Sequence, residues 1–433
     1  MGAILTRRDF LKQMGLWCFV IGLAPLGLRG WAGGVGEALA ATPPARRKRL
    51  VVIFLRGAVD GLNVVVPHGE PEYYDARPTI AIEARGQGGV LDLDGRFGLH
   101  PALSSILPLW QQRTLAFVHA CGSPDPTRSH FDAQRFMECG TPGVITTADG
   151  WMNRLLGTLP GPHAPGQAVS LGPIEPKILR GPNTVANFPL GRNAGAPMPI
   201  DRPVIAAAFD ELYNGDDPLS RAYRDGQAAR QELLKDLQEE KKIADNGAPS
   251  PVGFAGETER LAKLLQQDPS IQLVFLDLGG WDTHINQGAE KGQLANHLKQ
   301  LGDGLSSFVA ALGPLYEDTL VLVMSEFGRT VHENGNGGTD HGHGNALWAL
   351  GDGVRGGRIY GDWPGLATRN LYEGRDMAVT VDFRSVIAAT LSSHMRLSAE
   401  QLRVIFPGLP ASKLNAHDLS QLASRGPRPA AIG

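Results

Sequence analysis

The feature that most constrains this chain is an apolar run that ends abruptly in ionisable side chains. Residues 319–324 are mostly branched and apolar, which is typical of a parallel strand buried on both faces of a sheet. Glu326 and Arg329 follow at once, and a glycine- and asparagine-rich loop then leads to His341 and His343. Binding sites of open α/β sheets collect beyond the carboxyl ends of the strands. The stretch therefore predicts an α/β fold with a metal or substrate site at this edge.

Two further strands are predicted to end in carboxylate or imidazole groups. Asp60 follows the apolar run 50–55 and stands between glycines, where it is either a metal ligand or a turn residue that caps the next segment. Asp282 and His284 follow the run 271–278, and such a pair taken singly is usually polar loop. Because the pattern recurs at three predicted strand ends, it favours one shared cation site.

A fourth predicted strand, 115–119, leads to a polar loop and then to a helix at 131–138. Ser129 occupies the N-cap position of that helix, so its hydroxyl either satisfies a backbone N–H group or acts as a nucleophile at the positive helix end. Arg128 is a candidate for pairing with the oxygens of an anion, and His130 for ligating a metal or shuttling protons. The local pattern does not separate the cap from the nucleophile.

The first forty residues predict an export signal. Residues 6–12 contain paired arginines, residues 14–28 form a modest apolar stretch, and residues 38–40 are the small residues that a signal peptidase prefers. A membrane-spanning helix is the alternative, but the stretch is shorter than the roughly 20 apolar residues needed and contains glycine and proline. We expect export by the twin-arginine machinery, cleavage after Ala40, a periplasmic or extracellular location and no stable membrane span.

Charge and size constrain the exported chain. Residues 1–40 carry four basic and two acidic side chains, so their removal shifts the formal charge from −3 to −5, which argues against a nucleic-acid partner. We expect one α/β domain over 41–422 with a helical insertion near 204–267, followed by a flexible tail at 423–433. Cys121 and Cys139 remain after cleavage, and either a disulfide or buried free thiols fit the pattern.

Six motifs in this order resemble one known family, namely RRDFLK, RGAVDGLN, DPTRSHFDAQ, GGWDTH, SEFGRT and TDHGHG. They are similar to the twin-arginine-exported domain-of-unknown-function 1501 family, which is placed in the alkaline phosphatase and sulfatase superfamily. The resemblance covers nearly all of the exported chain. It implies a three-layer α/β/α sandwich with a mostly parallel central sheet and an alkaline phosphatase-like fold.

The resemblance also implies roles for individual residues. By motif, Asp60 resembles the first-strand metal aspartate and Ser129 the nucleophile, while Asp282 and His284 resemble a ligand pair. Glu326 falls where an Asp usually precedes a His, and either His341 or His343 resembles the late histidine ligand. Two departures stand out: Asp282 and His284 are closer in sequence than the corresponding phosphatase pair, and Phe327 occupies the place of a ligand histidine.

The resulting hypothesis is an exported metal-dependent hydrolase of phosphate or sulfate esters that acts on a small or polymeric anionic substrate. One or two divalent ions of zinc, manganese or iron would be bound by the residues named above and would activate Ser129 or a metal-bound water. Arg128 and Arg329 would steady the remaining ester oxygens. The alternative is a non-catalytic exported protein that keeps the fold and binds a partner or assists assembly.

Overall fold

The computed structural model describes residues 47–161, 163–171, 175–188, 211–221, 253–414, 419 and 422. The predicted export signal and tail lie outside these residues, and so do most of the predicted helices at 204–213 and 219–244. The described strands are β1 (Arg49–Leu55), β2 (Val65–Val66), β3 (Leu91–Asp92), β4 (Gly98–Leu99), β5 (Leu115–Gly122), β6 (Ala168–Leu171), β7 (Ala186–Phe188), β8 (Leu273–Leu278), β9 (Thr319–Ser325), β10 (Asn345–Leu350), β11 (Arg358–Tyr360) and β12 (Val381–Asp382).

The α-helices of the described residues are mostly short. They are α1 (Gly61–Val64), α2 (Pro71–Ala76), α3 (Leu107–Gln111), α4 (His130–Cys139), α5 (Trp151–Thr158), α6 (Phe254–Gln267), α7 (Gln293–Leu312), α8 (Phe383–His394), α9 (Ala399–Ile405) and α10 (Ala411–Leu414). Single turns of 3₁₀ helix connect several of them. No helix among the described residues is long and apolar enough to cross a membrane.

The main sheet has the order β11-β5-β10-β9-β1-β8-β6-β7, and β12 pairs with β5. Every described pairing in this sheet is parallel except the two that involve β10. Since β10 runs against its neighbours, its first residue lies at the edge where the other strands end. The loop that connects β9 to β10 therefore lies at the same edge as the loops that follow β1 and β8.

The side chains of the central strand β1 point alternately to its two sides, and this alternation explains why the sheet lies between two layers of helices. Val51, Ile53 and Leu55 of β1 face one side and pack with α6 and α7, whereas Leu50 and Val52 face the other side and pack with α5, α8 and α9. All are buried, because a central parallel strand has both faces covered by helices. The predicted α/β fold with a mostly parallel sheet between two helical layers is confirmed.

Two segments have more regular structure than their sequences predict. The many turn-forming residues of 67–100 predict an irregular segment, but it contains α2, β3 and β4, and the two strands form a small antiparallel sheet with β2. The glycine-rich segment 356–363 predicts a hairpin or an ordered loop, but it contributes the edge strand β11, which pairs in parallel with β5. Of the two alternatives for Cys121 and Cys139, the structure has buried free thiols.

Two fully buried histidines make the folded state sensitive to acid. His100 Nε2 donates to the Ala289 carbonyl at 3.1 Å and its Nδ1 accepts from Ala102 N–H at 3.0 Å, so the neutral ring uses both nitrogens. His119 Nε2 donates to the Val65 carbonyl at 2.8 Å. Burial lowers the pKa of each histidine to about 4.

We predict that the free energy of unfolding falls as the pH decreases from 6.5 towards 4, because there the unfolded chain binds protons at His100 and His119 that the folded protein does not. Each histidine contributes a slope on the order of 1.4 kcal/mol per pH unit. Urea titrations across this range measure how steeply the free energy of unfolding changes with pH. His119→Gln should reduce that slope by the contribution of one histidine. His332→Gln, at an exposed histidine, is the matched control. An unchanged slope in His119→Gln contradicts the assignment.

Candidate metal centre

Close backbone packing brings the loops at the strand ends together. Gly57, which follows β1, has φ = +115°, and a Cβ there would meet the Asp282 backbone nitrogen at 2.6 Å. Only glycine adopts this conformation without strain and allows so close an approach. The loop after β8 is thereby pressed against the loop after β1, which fixes the position of Asp282.

Three imidazoles surround one carboxylate oxygen at this edge. Asp282 Oδ1 lies 3.0 Å from His284 Nε2, 3.5 Å from His341 Nε2 and 3.6 Å from His130 Nε2. His130, Asp282 and His341 form a group whose ligand atoms all lie within 4.8 Å of one another. His284 borders that group, with its Nε2 3.0 Å from His341 Nε2. We refer to these four residues as the His/Asp cluster.

The Nδ1 atoms of the three imidazoles are all hydrogen-bonded away from the cluster. His284 Nδ1 lies 3.0 Å from Asp340 Oδ1, His130 Nδ1 lies 2.7 Å from Glu326 Oε1, and His341 Nδ1 lies 2.8 Å from the backbone oxygen of Arg128. Carboxylate and carbonyl oxygens only accept, so each Nδ1 carries the proton. In the neutral form of each ring the unprotonated Nε2 then points inward, which is how protein histidines are oriented towards metals.

A bound cation would supply the partner that the Nε2 atoms of the cluster lack within the described part of the protein. The Nε2 atoms of His284 and His341 face each other at 3.0 Å, and the buried His130 Nε2 has no hydrogen-bond partner among the described residues. The distances from Asp282 Oδ1 to the three Nε2 atoms bracket the roughly 3.3 Å that separates two ligands of a tetrahedral zinc with bonds of about 2.05 Å. The donor set of imidazole and carboxylate therefore fits a divalent transition metal, and suits zinc, manganese or iron alike.

Arg329 holds the Asp282 carboxylate in place. Its guanidinium donates to Asp282 Oδ1 at 2.5 Å and is itself buried, with 2% of the residue exposed. Burial acts to raise the pKa of Asp282, but the hydrogen bond and charge of Arg329, together with His284 and His130, lower it by more. The pKa of Asp282 therefore lies below its usual value, and the carboxylate stays ionised to lower pH. The side chain of Asp282 remains 46% exposed, which leaves the cluster open to solvent.

Glu326 contacts the cluster through His130 Nδ1 and is not one of the four residues that form it. Its Oε1 accepts from Gly57 N–H, His130 Nδ1 and Gln134 Nε2, and its Oε2 accepts from the Ser325 hydroxyl. Burial works to raise the pKa of Glu326, whereas the hydrogen bonds from His130 and Gln134 lower it by more. In return the hydrogen bond to Glu326 raises the pKa of His130. The structure thus gives Glu326 the role of orienting a ligand, where the sequence suggested a ligand itself.

Phe327 is one of the two positions at which this sequence departs from the pattern of the resembled family. The buried ring packs against the imidazoles of His130 and His341, with centroid distances of 4.9 and 5.1 Å. It fills the apolar side of the cluster together with Ala58 and Ala133. Where the family resemblance led us to expect a metal ligand, the chain has a packing residue that restricts the two rings.

Asp60 does not fit the predicted ligand role. Both carboxylate oxygens accept from Arg77, at 2.5 and 3.0 Å, and Gln287 donates to one of them at 2.7 Å. The ion pair is completely buried, with side-chain exposures of 1% for Asp60 and 0% for Arg77. A carboxylate whose oxygens are filled by a guanidinium and an amide is part of the core, so Asp60 ties the loop after β1 to the segment after α2.

Three other predicted site residues lie near the cluster, and their polar groups are already engaged by other parts of the protein. His343 Nε2 donates to the Ser123 carbonyl at 3.0 Å, and its ring packs on Tyr372. The guanidinium of Arg128 is engaged by Asp376 and Glu373. That of Arg329 is engaged by four backbone carbonyls and Asp282. Neither arginine has its guanidinium directed at an open position beside the cluster.

Ser129 is the N-cap of α4, which is one of the two roles that the sequence left open. Its hydroxyl accepts from Asp132 N–H at 3.4 Å and so caps α4, while the residue is exposed to solvent. It lies between Arg128, whose backbone oxygen accepts from His341, and His130, a member of the cluster. The cap and an exposed hydroxyl next to the cluster occur together.

Sequence reasoning missed Arg77 and Arg375, and it noted Asp340 as a carboxylate beside His341 without counting it among the site residues. Asp340 orients His284, and hydrogen bonds from Asn334 and His284 lower the pKa of its carboxyl group. Its position next to His341 was the available signal. Arg77 and Arg375 follow no motif: the first pairs with Asp60, and the second donates to the His341 carbonyl while its side chain is 44% exposed.

We predict that Asp60→Asn lowers the free energy of unfolding without changing the amount of bound metal. The substitution leaves the buried charge of Arg77 unpaired, which costs about 3–5 kcal/mol. Asp282→Asn is the matched comparison and should lose the metal at a smaller cost in stability, because Asp282 is half-exposed. Denaturant titration and elemental analysis measure the two effects. Loss of metal from a stably folded Asp60→Asn protein would restore Asp60 as a ligand.

Comparison with known proteins identifies a family. A search of curated proteins returned no match. A solved structure described as "Crystal structure of PsFucS1 sulfatase from Pseudoalteromonas sp." is 13% identical, covers 88% of this chain and 74% of that chain, and has a TM-score of 0.38. That similarity is too weak to carry an inference about the site. A family model described as "Protein of unknown function (DUF1501)" matches residues 122–406, which is more than half of the chain, and the chain therefore belongs to this family.

Proposed function

We propose that this protein is an exported, metal-dependent hydrolase of phosphate or sulfate esters. The observation that carries the proposal is the His/Asp cluster: imidazole nitrogens and a carboxylate oxygen face one position and are oriented from behind by Glu326, Asp340 and a backbone carbonyl. Few protein ligands and an open, solvent-facing side are typical of catalytic rather than structural metal sites. Export by the twin-arginine route remains part of the proposal and rests on the amino-terminal motif.

A divalent ion bound here would supply a Lewis acid that lowers the pKa of an attacking hydroxyl and offsets charge on the ester. The protein's own residues supply the rest. Arg329 and Glu326 prevent the ligands from turning away, which keeps the geometry fixed during the reaction. Ser129 offers a hydroxyl at the amino-terminal end of α4, where backbone N–H groups favour an anion.

Arg375 is the residue that we assign to steadying the ester oxygens. Its guanidinium lies against the His341 backbone and is 44% exposed, so part of it faces solvent beside the cluster. Arg375 pairs with Asp376 through Nε at 2.8 Å, as Arg128 does at 3.1 Å, but its side chain is more exposed than that of Arg128, which is 31% exposed. Arg329, which the sequence also suggested for this task, is buried and donates to four carbonyls and to the carboxylate of the His/Asp cluster. The guanidinium with the most surface open to solvent is better suited to hold a tetrahedral anion.

A metal-binding protein without catalysis is the second candidate. One observation favours it: Phe327, which stands where the resemblance places a ligand histidine, is a packing residue and cannot bind a metal. Such a protein would use the ion to bind an anionic partner and would not hydrolyse it. Turnover of an ester distinguishes the two candidates.

We predict that the purified protein hydrolyses nitrophenyl phosphate or nitrophenyl sulfate and that a chelator abolishes the activity. Asp282→Ala should lower kcat/KM by about a thousandfold or more, because it removes the oxygen on which the three imidazoles converge. Lys299→Gln, on the helical layer that α7 forms, is the control. Stoichiometric metal without turnover of either ester would favour the non-catalytic candidate.

We predict that Ser129→Asn keeps α4 intact but removes the nucleophile. Asparagine is as good an N-cap as serine, so the free energy of unfolding should change by less than about 1 kcal/mol. If the hydroxyl attacks the ester, kcat falls by about a thousandfold while metal content stays the same. Full activity in a stable Ser129→Asn protein would assign the attack to water instead.

A further inference from the structure

A cavity of about 330 Å³ opens on the outer side of α4, next to the His/Asp cluster. Its wall consists of Phe131, Gln134, Arg135, Glu138, Lys177 and Arg180. None of these residues belongs to the cluster or was predicted as a site residue. The volume is at the lower end for small-molecule sites, which suits a single ring-sized unit.

The charge of the cavity is positive. Arg135, Lys177 and Arg180 each donate to a backbone carbonyl, those of Ile145, Ala148 and Glu175 respectively. The ion pairs found among the described residues use other side chains. The single carboxylate of the wall, Glu138, is compensated by Arg56 at 3.0 Å and by the Ile178 N–H at 2.9 Å. Three cationic groups without a carboxylate in salt-bridge contact favour an anionic ligand.

The cavity also has an apolar side. Phe131 is 76% exposed, the highest value among the large hydrophobic residues of the described chain. An aromatic ring costs free energy when it is left in water, and exposed apolar patches with polar rims commonly mark binding sites. The flat face of a sugar ring, which is lined with C–H groups, complements such a side chain, and its sulfate or carboxylate group complements the cations.

The cavity is connected to the cluster by two hydrogen bonds. Gln134, in the cavity wall, donates to Glu326 Oε1 at 3.0 Å, and the same oxygen accepts from His130 Nδ1 at 2.7 Å. Phe131 is the sequence neighbour of His130 on the first turn of α4. The cavity and the cluster therefore border the same helix, and Glu326 contacts a residue of each.

We propose that this cavity is the subsite for an acidic sugar unit, which makes the substrate a sulfated or otherwise anionic glycan. The inference rests on the proposed function for its identification as a substrate subsite, whereas ligand binding by the cavity can be measured without turnover. The attacked ester would be carried on the same unit as the bound acidic group or on the adjacent one.

Calorimetric titration of the chelator-treated protein with a sulfated galactose disaccharide tests the subsite, with the same disaccharide without sulfate as the reference ligand. We expect the sulfated form to bind at least about tenfold more tightly. Phe131→Ala and Arg180→Gln should each weaken its binding about five- to tenfold, and Lys299→Gln, which also removes one positive charge, should not. Circular dichroism of each variant checks that the fold is retained.

The outcomes separate the subsite from the proposed function. Equal binding of the two disaccharides, no binding of either, or wild-type affinity in Arg180→Gln would overturn the subsite. Because the titration uses metal-free protein, a failure of the nitrophenyl ester assay leaves it unaffected. Sulfate-dependent binding that Arg180→Gln weakens supports the subsite even where no ester is hydrolysed.

Discussion

The guanidinium of Arg329 is the contact on which the candidate site most depends. It is buried and donates to the backbone oxygens of Gly57 and Ala58 after β1, of Trp281 after β8 and of Thr339 before β10. The same group binds Asp282 Oδ1. One cation thus joins three loops that leave different strands, and it does so at the atom around which the imidazoles gather. A buried charge is stable only when it is paired and hydrogen-bonded, so these loops must close around it together.

Two arginine–aspartate contacts at this edge of the sheet have different roles. Arg77 and Asp60 satisfy each other completely inside the protein and leave nothing for a ligand. Arg329 binds only one oxygen of Asp282, whose side chain is half-exposed and remains accessible from solvent. Similar residue types at the ends of parallel strands therefore do different work, and the difference lies in how many of the carboxylate's lone pairs the protein already uses.

The fold followed closely from hydrophobic patterning. The apolar runs 50–55 and 319–324 became β1 and β9 almost residue for residue, because a strand covered on both sides leaves little doubt about its limits. The direction of β10 was not predictable from its composition, since an apolar strand has the same pattern in either orientation. Its reversal follows from pairing with β5 and β9.

The sequence predicted where the site lies, at the ends of the strands, but it did not predict the role of each residue there. Strand-end position alone gave Asp282, His284 and His341 and could not separate them from Asp60 and His343, since pairing with Arg77 or a Ser123 carbonyl depends on contacts far apart in sequence. His130, suggested as either ligand or proton shuttle, contributes its Nε2 to the cluster, with Nδ1 on Glu326. Tautomers follow from the partner of each Nδ1, which is information that only the three-dimensional arrangement holds.

X-ray absorption at the metal edge of the loaded protein tests the central claim most directly. The account predicts a first shell with two or three imidazole nitrogens and one carboxylate oxygen at about 2.0–2.2 Å for zinc, and loss of one imidazole contribution in His341→Ala. A shell made only of oxygen, or a spectrum unchanged by His341→Ala, would place the metal elsewhere and contradict the account.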